Sequence, residues 1–237
     1  MLPRWVVPPL GPRFPGWSLL ALGMLVLLVL ITWQVVDDGA LLVLDERARD
    51  AVPHRGADEP VRPWAAELLA DLGGTLVAGP VLAAAALGSA WWNRRRDAVR
   101  WWLPLVWAAV AGAAVPLLVV PMKAVVGREG PDGTLDPGQL GFYPSGHTAT
   151  AAVCYGAAVL LAPAGRRGLT WAAAALNAAV GVALVWCGYH WALDVVAAWC
   201  LSGTVLLALR AGLAGPGGGR VGRGRAVAVS GWSGNPG

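Results

Sequence analysis

The sequence predicts an all-α integral membrane protein with six transmembrane helices. Hydrophobic residues make up 57% of the chain and charged residues 14%, whereas soluble proteins typically have about 45 to 50% and about 25%. The same apolar excess excludes a disordered, collagen-like or coiled-coil chain. The apolar residues are gathered into six nearly uncharged runs separated by polar segments. Together these observations place most of the chain in a lipid bilayer.

The predicted spans follow from the lengths of these runs. A helix needs roughly 20 mostly apolar residues to cross about 30 Å of hydrocarbon. The first run is longer than the apolar part of a signal peptide, and Asp37 and Asp38 follow it without a small-residue cleavage site. We therefore expect it to be a membrane anchor. The six predicted spans cover residues 17–36, 75–92, 101–122, 146–163, 169–187 and 191–209.

The orientation of the spans follows from the distribution of charge around them. With the N-terminus in the cytoplasm, the cytoplasmic segments hold 12 of the 18 basic residues and the outer segments hold 13 of the 14 acidic residues. Basic residues in short loops favour the cytoplasmic side. We expect a protein of the cell membrane with both termini in the cytoplasm. Its predicted parts are a cytoplasmic N-terminus (1–16), a six-span domain (17–212) with an outer loop (37–71), and a disordered Gly/Arg-rich tail (213–237).

Three basic side chains stand at the ends of spans, where an ionisable group is costly unless it has a partner or a function. The chain has one lysine, Lys123, and three histidines. Lys123 ends the third span, His147 begins the fourth and His190 begins the sixth. In the predicted orientation all three ends lie on the outer face. The sequence therefore predicts one extracytoplasmic site built from three spans.

The spacing within two of these segments indicates their chemistry. His190 and Asp194 are four residues apart and share one face of a helix. A carboxylate there would fix the imidazole tautomer and leave the other ring nitrogen free as a nucleophile or base. Ser145 and Gly146 follow Pro144 at the start of a helix, where unpaired N–H groups and the helix dipole form an anion site.

Two cations complete the predicted site. Lys123 and Arg128 lie near the outer end of the third span, and the planar guanidinium of arginine suits the oxygens of phosphate. Two histidines, one carboxylate, two cations and a helix N-terminus indicate phosphoryl transfer without a metal or another cofactor. The partners expected are a lipid phosphate and the membrane. No nucleic-acid partner is expected, because topology explains the arginines.

These segments resemble the three signature motifs of the type 2 phosphatidic acid phosphatase (PAP2) family, which are six-span lipid phosphatases related to vanadium haloperoxidases. The segments run from Lys123 to Pro131, from Pro144 to His147 and from Gly188 to Asp194. The resemblance implies a PAP2/haloperoxidase-like helical bundle. It also implies a lipid phosphatase that hydrolyses a phosphomonoester or pyrophosphate at the outer leaflet. Phosphatidic acid, phosphatidylglycerol phosphate and polyprenyl diphosphate all fit as substrates.

The resemblance also implies roles for single residues. His190 would attack phosphorus to form a phosphohistidine, Asp194 would orient His190, and His147 would protonate the leaving oxygen. The phosphoryl oxygens would be held by Lys123, Arg128, Ser145 and Gly146.

Two arginines of the family motifs are absent. Gly130 stands where the first motif has arginine, and Leu184 stands where the third motif has arginine. Removing one preorganised donor can cost about 2.7 to 4 kcal/mol of transition-state stabilisation. Arg128 is the nearby residue that could replace one of them. The departures predict a slow enzyme, an altered substrate or no enzyme.

Each residue also has a purely structural interpretation. His147 would be a histidine satisfied at a helix end, and His190 with Asp194 would be an ion pair near the interface. Lys123 would be an anchor whose ammonium reaches the headgroups. For the whole protein, the alternative is a catalytically silent PAP2-like protein that binds anionic lipid or acts as a partner subunit in the envelope. Retention of both histidines and the aspartate favours the enzyme.

Overall fold

Helices make up most of the described part of the chain. The computed structural model describes residues 16–55, 59–60, 62–162 and 167–214. In chain order the helices are α1 (Gly16–Val36), α2 (Val43–Asp50), α3 (Trp64–Asp71), α4 (Thr75–Arg94), α5 (Leu103–Val126), α6 (Gly146–Leu161), α7 (Arg167–Trp186) and α8 (Ala192–Ala214). Helices α1, α4, α5, α7 and α8 are long and apolar enough to cross a membrane, and α6 is a shorter apolar helix. These six helices correspond to the six predicted spans and confirm the all-α membrane fold.

The segment between α1 and α4, which the sequence analysis predicts to be an outer loop, has structure of its own. A 3₁₀ turn at Ala40–Leu42 leads into α2, and α3 occupies the later part of the loop. Between them, His54–Arg55 (β1) and Glu59–Pro60 (β2) form a short antiparallel pair. Helix α2 was not predicted, because its sequence VLDERARD is short and mostly charged. Its contacts with α8 bring part of this loop to the candidate site.

Helix α6 is the centre of the bundle. It packs against α4, α5, α7 and α8, and nine of its 16 residues are buried. Small residues permit this close packing: a Cβ on Gly156 would lie 2.5 Å from Leu206 Cδ1 of α8. At 1.5 Å per residue α6 is about 24 Å long. It is therefore shorter than the helices around it.

The outward faces of the long helices are apolar, as lipid contact requires. On α1, Leu22, Val29 and Val36 are each more than half exposed, and the opposite side of this helix packs against α8. Exposed apolar side chains at this density are normal when the solvent is a bilayer. The predicted N-terminal segment and most of the Gly/Arg-rich tail lie outside the described residues, while α8 continues to Ala214.

Candidate active site

His190 and Asp194 meet at the start of α8. His190 Nδ1 lies 3.2 Å from Asp194 Oδ2, and the two side chains are 8% and 0% exposed. The carboxylate can only accept, so Nδ1 carries the proton and Nε2 has a free lone pair. The backbone N–H of Trp191 also donates to Asp194 Oδ2, at 3.2 Å. The pair therefore has the geometry of an oriented imidazole nucleophile or base.

Arg128 contacts Asp194 from the opposite side. Its Nη1 donates to Asp194 Oδ1 at 2.7 Å, and its Nη2 donates to Asp45 Oδ2 at 2.6 Å. The guanidinium also lies over the Trp191 ring, with Cζ 5.2 Å from the ring centroid. The structure thus pairs Arg128 with two carboxylates at the edge of the site. Its predicted contact with phosphate stays a prediction.

Asp45 is a member of this site that the sequence analysis missed. It lies on α2 and is 2% exposed. Its Oδ1 accepts a 2.7 Å hydrogen bond from the backbone N–H of Leu193, the residue before Asp194. Burial raises the pKa of Asp45, against the lowering effect of the Arg128 and Leu193 hydrogen bonds. The available signal was a single aspartate between apolar residues (Val43, Leu44) and a charged stretch, which does not distinguish a buried from a solvated carboxylate.

Lys123 lies in the last turn of α5 and points into the site. Its Nζ donates to Gly141 O at 2.6 Å and lies 5.9 Å from the centroid of the Phe142 ring. Phe142 in turn meets His190 edge to face, with ring centroids 5.7 Å apart. Helix α5 ends at Val126, one turn after Lys123, because Gly127 adopts the left-handed conformation, with φ 59°, and its N–H donates to Lys123 O. The helix end thus fixes where the ammonium stands.

His147 occupies the first turn of α6. Its side chain is exposed, and a Cβ on Gly73 or Gly74 would touch the histidine. His190, Asp71 and Lys123 are close enough to act electrostatically on its imidazole. The structure therefore brings together the three basic residues that the sequence analysis assigned to one site.

Ser145 and Gly146 form the N-terminus of α6. Ser145 is fully buried, and its hydroxyl caps the helix by accepting from Thr148 N at 3.3 Å. Its own N–H donates to Asp194 O at 3.1 Å, so this amide is already used. Within the part of the chain that the structure describes, the N–H groups of Gly146 and His147 have no acceptor. These two amides are the ones that an anion at this helix end would meet.

A large apolar cavity opens from the site into the bundle. It has a volume of about 840 Å³ and lies between α4, α5 and α6. Lys123, Gly146 and His147 line its polar end, while small and aliphatic side chains line the rest. Examples along its length are Val119 near Lys123 and Leu105 near the far end of α5. A cavity of this size and character fits a ligand with a polar head and an apolar chain.

The two positions that depart from the family motifs are closely packed. Gly130 is buried, and a Cβ there would lie 2.8 Å from Asp132 Oδ1 and 2.8 Å from Phe142 Cζ. Leu184 is 1% exposed within the apolar core. A side chain at Gly130 would have to displace its neighbours, and Leu184 is part of the apolar core, so both departures belong to the packing of this protein.

No group of three or more His, Cys, Asp or Glu side chains that could hold a metal ion is found in residues 16–55, 59–60, 62–162 and 167–214. Cys154, Cys187 and Cys200 are buried free thiols. The polar side chains of the candidate site are those of Lys123, His147 and His190, together with the carboxylates of Asp45 and Asp194, which are bonded to Arg128.

The fold is that of a multi-pass membrane protein with a transmembrane PAP2 architecture. The PAP2 superfamily model matches residues 105–214, the region from α5 to α8, and the resemblance stated from the motifs is thereby confirmed. Among solved structures, the chain is similar to the first transmembrane PAP2 type phosphatidylglycerolphosphate phosphatase from Bacillus subtilis. The TM-score is 0.66 at 20% sequence identity, over 81% of this chain and 94% of that chain. No curated protein matches the sequence.

Proposed function

We propose that this protein is a membrane lipid phosphatase that hydrolyses a phosphomonoester or pyrophosphate of a lipid at the outer leaflet, through a phosphohistidine intermediate. One observation carries the proposal. Lys123 and His147 form the polar end of an apolar cavity that lies between membrane helices. A phosphate at that end would have its alkyl chain in the cavity and its phosphorus near the imidazoles.

In the first step, His190 Nε2 attacks phosphorus. A P–N bond forms while the P–O bond to the lipid breaks, and His147 gives its proton to the departing lipid oxygen. Asp194 accepts the Nδ1 hydrogen bond at 3.2 Å, so it stabilises the positive charge that develops on the imidazole. The products of this step are a lipid alcohol, or a lipid monophosphate from a pyrophosphate, and the phosphohistidine.

In the second step, water hydrolyses the intermediate. His147 has lost its proton in the first step and now accepts one from the water, whose oxygen attacks phosphorus as the P–N bond breaks. Inorganic phosphate leaves and both histidines return to their starting states. The exposed position of His147 at the cavity mouth gives water access to this side of the phosphorus.

The phosphoryl oxygens are held by Lys123 and by the start of α6. The ammonium of Lys123 is close to Gly146, since a Cβ on that glycine would lie 3.9 Å from Lys123 Cε. The free N–H groups of Gly146 and His147 and the helix dipole add donors for an anion. Ser145 contributes by capping α6, and Arg128 contributes through its ion pair with Asp194.

The test is release of inorganic phosphate from a panel of lipid phosphates and lipid pyrophosphates by purified protein in detergent. His190→Ala is expected to abolish release, because it removes the nucleophile. His54→Ala is the matched control and is expected to retain wild-type turnover, since His54 is the histidine outside the proposed site. Equal release by wild type and His190→Ala on every lipid would disprove the proposal.

The alternative is a catalytically silent protein that binds an anionic lipid at the same site. The closely packed Gly130 and Leu184, in place of two motif arginines, favour it. Binding of a lipid phosphate without release of phosphate, weakened by Lys123→Met and unchanged by His190→Ala, would support this second function over the first.

A further inference from the structure

The ion pair between Asp45 and Arg128 connects the outer loop to the catalytic aspartate. Asp45 is on α2, 83 residues before Arg128 and 148 residues before Leu193. It nevertheless bonds two residues next to Asp194: Arg128, its ion-pair partner, and Leu193, the residue before it. Arg128 donates one N–H to each aspartate, at 2.6 Å and 2.7 Å. Leu193, the residue before Asp194, donates its backbone N–H to Asp45.

The geometry of these bonds restricts Asp194. Asp194 Oδ1 faces Arg128, and Oδ2 faces both His190 Nδ1 and Trp191 N. Rotation of the carboxylate would break bonds on both sides. The direction of the His190 ring therefore depends on where Arg128 is held. Asp45 holds Arg128 from the far side, and Arg128 is only 11% exposed.

The charges in this cluster favour the same conclusion. Arg128 paired with Asp194 alone would neutralise the carboxylate that must stabilise a positive imidazole. With Asp45 present, Arg128 is shared between two carboxylates, and the cluster keeps one net negative charge next to His190. That charge is balanced when the imidazole becomes positive during phosphoryl transfer.

Burial opposes the ionisation of Asp45, since it raises the pKa of this carboxyl. A buried carboxylate whose environment opposes its ionisation is a frequent feature of functional sites. A residue that served packing alone would have no need of a charge at this position.

We propose that Asp45 is a positioning residue of the phosphatase, which acts through Arg128 and the start of α8 to hold Asp194 and His190 in the reactive arrangement. This inference rests on the proposed function. It assigns a role in catalysis to the outer loop, which lies outside the region that matches the PAP2 superfamily model.

The test compares Asp45→Asn and Asp45→Ala with Glu46→Gln, a matched loss of charge at the adjacent exposed residue of the same helix. Asparagine can still accept from Leu193 N but loses the ion pair, whereas alanine loses both. We expect kcat on the proposed lipid phosphate to fall by about 10- to 100-fold in Asp45→Asn, the range found for residues that orient metal-binding histidines. KM is expected to change little, because Asp45 does not contact the substrate. Glu46→Gln should match the wild type.

A double-mutant cycle separates positioning from simple structural support. In an Arg128→Met background, Asp45→Asn should cause no further fall in kcat, because its effect passes through Arg128. The inference would be overturned if Asp45→Asn lowered kcat by the same factor in both backgrounds, or if Asp45→Asn had the kcat of the wild type. Either result would leave the proposed function intact. Wild-type protein that releases no phosphate from any lipid would overturn both.

Discussion

At the Asp45 carboxylate, burial and ionisation oppose each other. The folded protein raises the pKa of Asp45 above its ordinary value of 3.8, because burial outweighs the effects of Arg128 and Leu193. The contribution of Asp45 to stability is therefore complete below about that value and is lost as pH rises through the higher pKa of the folded state. Ionisation of Asp45, which its proposed ion pair with Arg128 requires, is thus opposed by folding stability.

The raised pKa of Asp45 predicts how the stability of the wild type and of the Asp45→Asn variant will differ with pH. As pH rises from about 4 to about 7, the wild type should lose thermal stability relative to Asp45→Asn, since only the wild type acquires the buried charge. The measurement is the unfolding midpoint of both proteins in one detergent across that pH range, with Glu46→Gln as the exposed control. A difference between wild type and Asp45→Asn that stays constant with pH would contradict the prediction.

Adding a Cβ at Gly130 would affect the candidate site through Phe142. A Cβ at this position would lie 2.8 Å from Phe142 Cζ, and Phe142 packs against the His190 ring. We predict that Gly130→Ala destabilises the protein by about 1 to 3 kcal/mol, as overpacking does, and lowers phosphate release. Gly168→Ala is the control, because a Cβ on Gly168 would have no atom within 4 Å. Full activity and stability in Gly130→Ala would show that Phe142 moves freely.

At the scale of helices, the sequence predicted the spans but not the whole site. The spans were predictable because each is a run of apolar residues of about the length that a bilayer requires. His190 and Asp194 were predictable as a pair because helix geometry alone brings them together. The partnership of Asp45 with Arg128 and Leu193 was not, because it depends on how a short charged helix folds back over α8. The packing that excludes arginine at Gly130 likewise arises from a loop contact with Phe142.

The cavity between α4, α5 and α6 predicts how a substitution in a helix will affect lipid binding. Gly112 of α5 lines this cavity, and a Cβ there has nothing within 4 Å. Gly112→Phe should fill the cavity without displacing a helix. We expect KM for a long-chain lipid phosphate to rise about 10-fold or more, which corresponds to about 1.4 kcal/mol of binding. Turnover of a short-chain soluble phosphate ester should change little.

Gly23→Phe is the matched control for the cavity. Gly23 lies on α1 and also has open space around it, so the same substitution adds an aromatic ring at a lipid-facing helix away from the site. If both variants raise KM equally, or if Gly112→Phe affects both substrates equally, the cavity does not hold the lipid chain.

For the molecule as a whole, the carboxylates of the described site already have hydrogen-bonding partners. These carboxylates are bonded to Arg128, His190 and backbone N–H groups. We predict that phosphate release is unchanged by EDTA at a concentration that removes bound divalent cations. Activity that EDTA abolishes and that Mg²⁺ or Zn²⁺ restores would contradict the mechanism proposed above.

The charge distribution of the whole molecule predicts which side of the membrane the site faces. Arg94 is the last residue of α4, and Arg95 and Arg96 follow it. Each guanidinium lies over a tryptophan ring, as expected at a cytoplasmic interface. The proposed site lies at the opposite ends of the helices. A cysteine in place of Glu129, next to the site and exposed, should therefore react with a membrane-impermeant maleimide in intact cells.

A cysteine in place of Arg96 should react only after the cells are permeabilised. The three native cysteines are buried and should give little background, which wild-type protein measures. Opposite labelling would mean that the site faces the cytoplasm, and the lipid phosphate would then be drawn from the inner leaflet. The arginines that predict the topology therefore also predict the leaflet from which the substrate is drawn, because a helical bundle fixes both ends of every span at once.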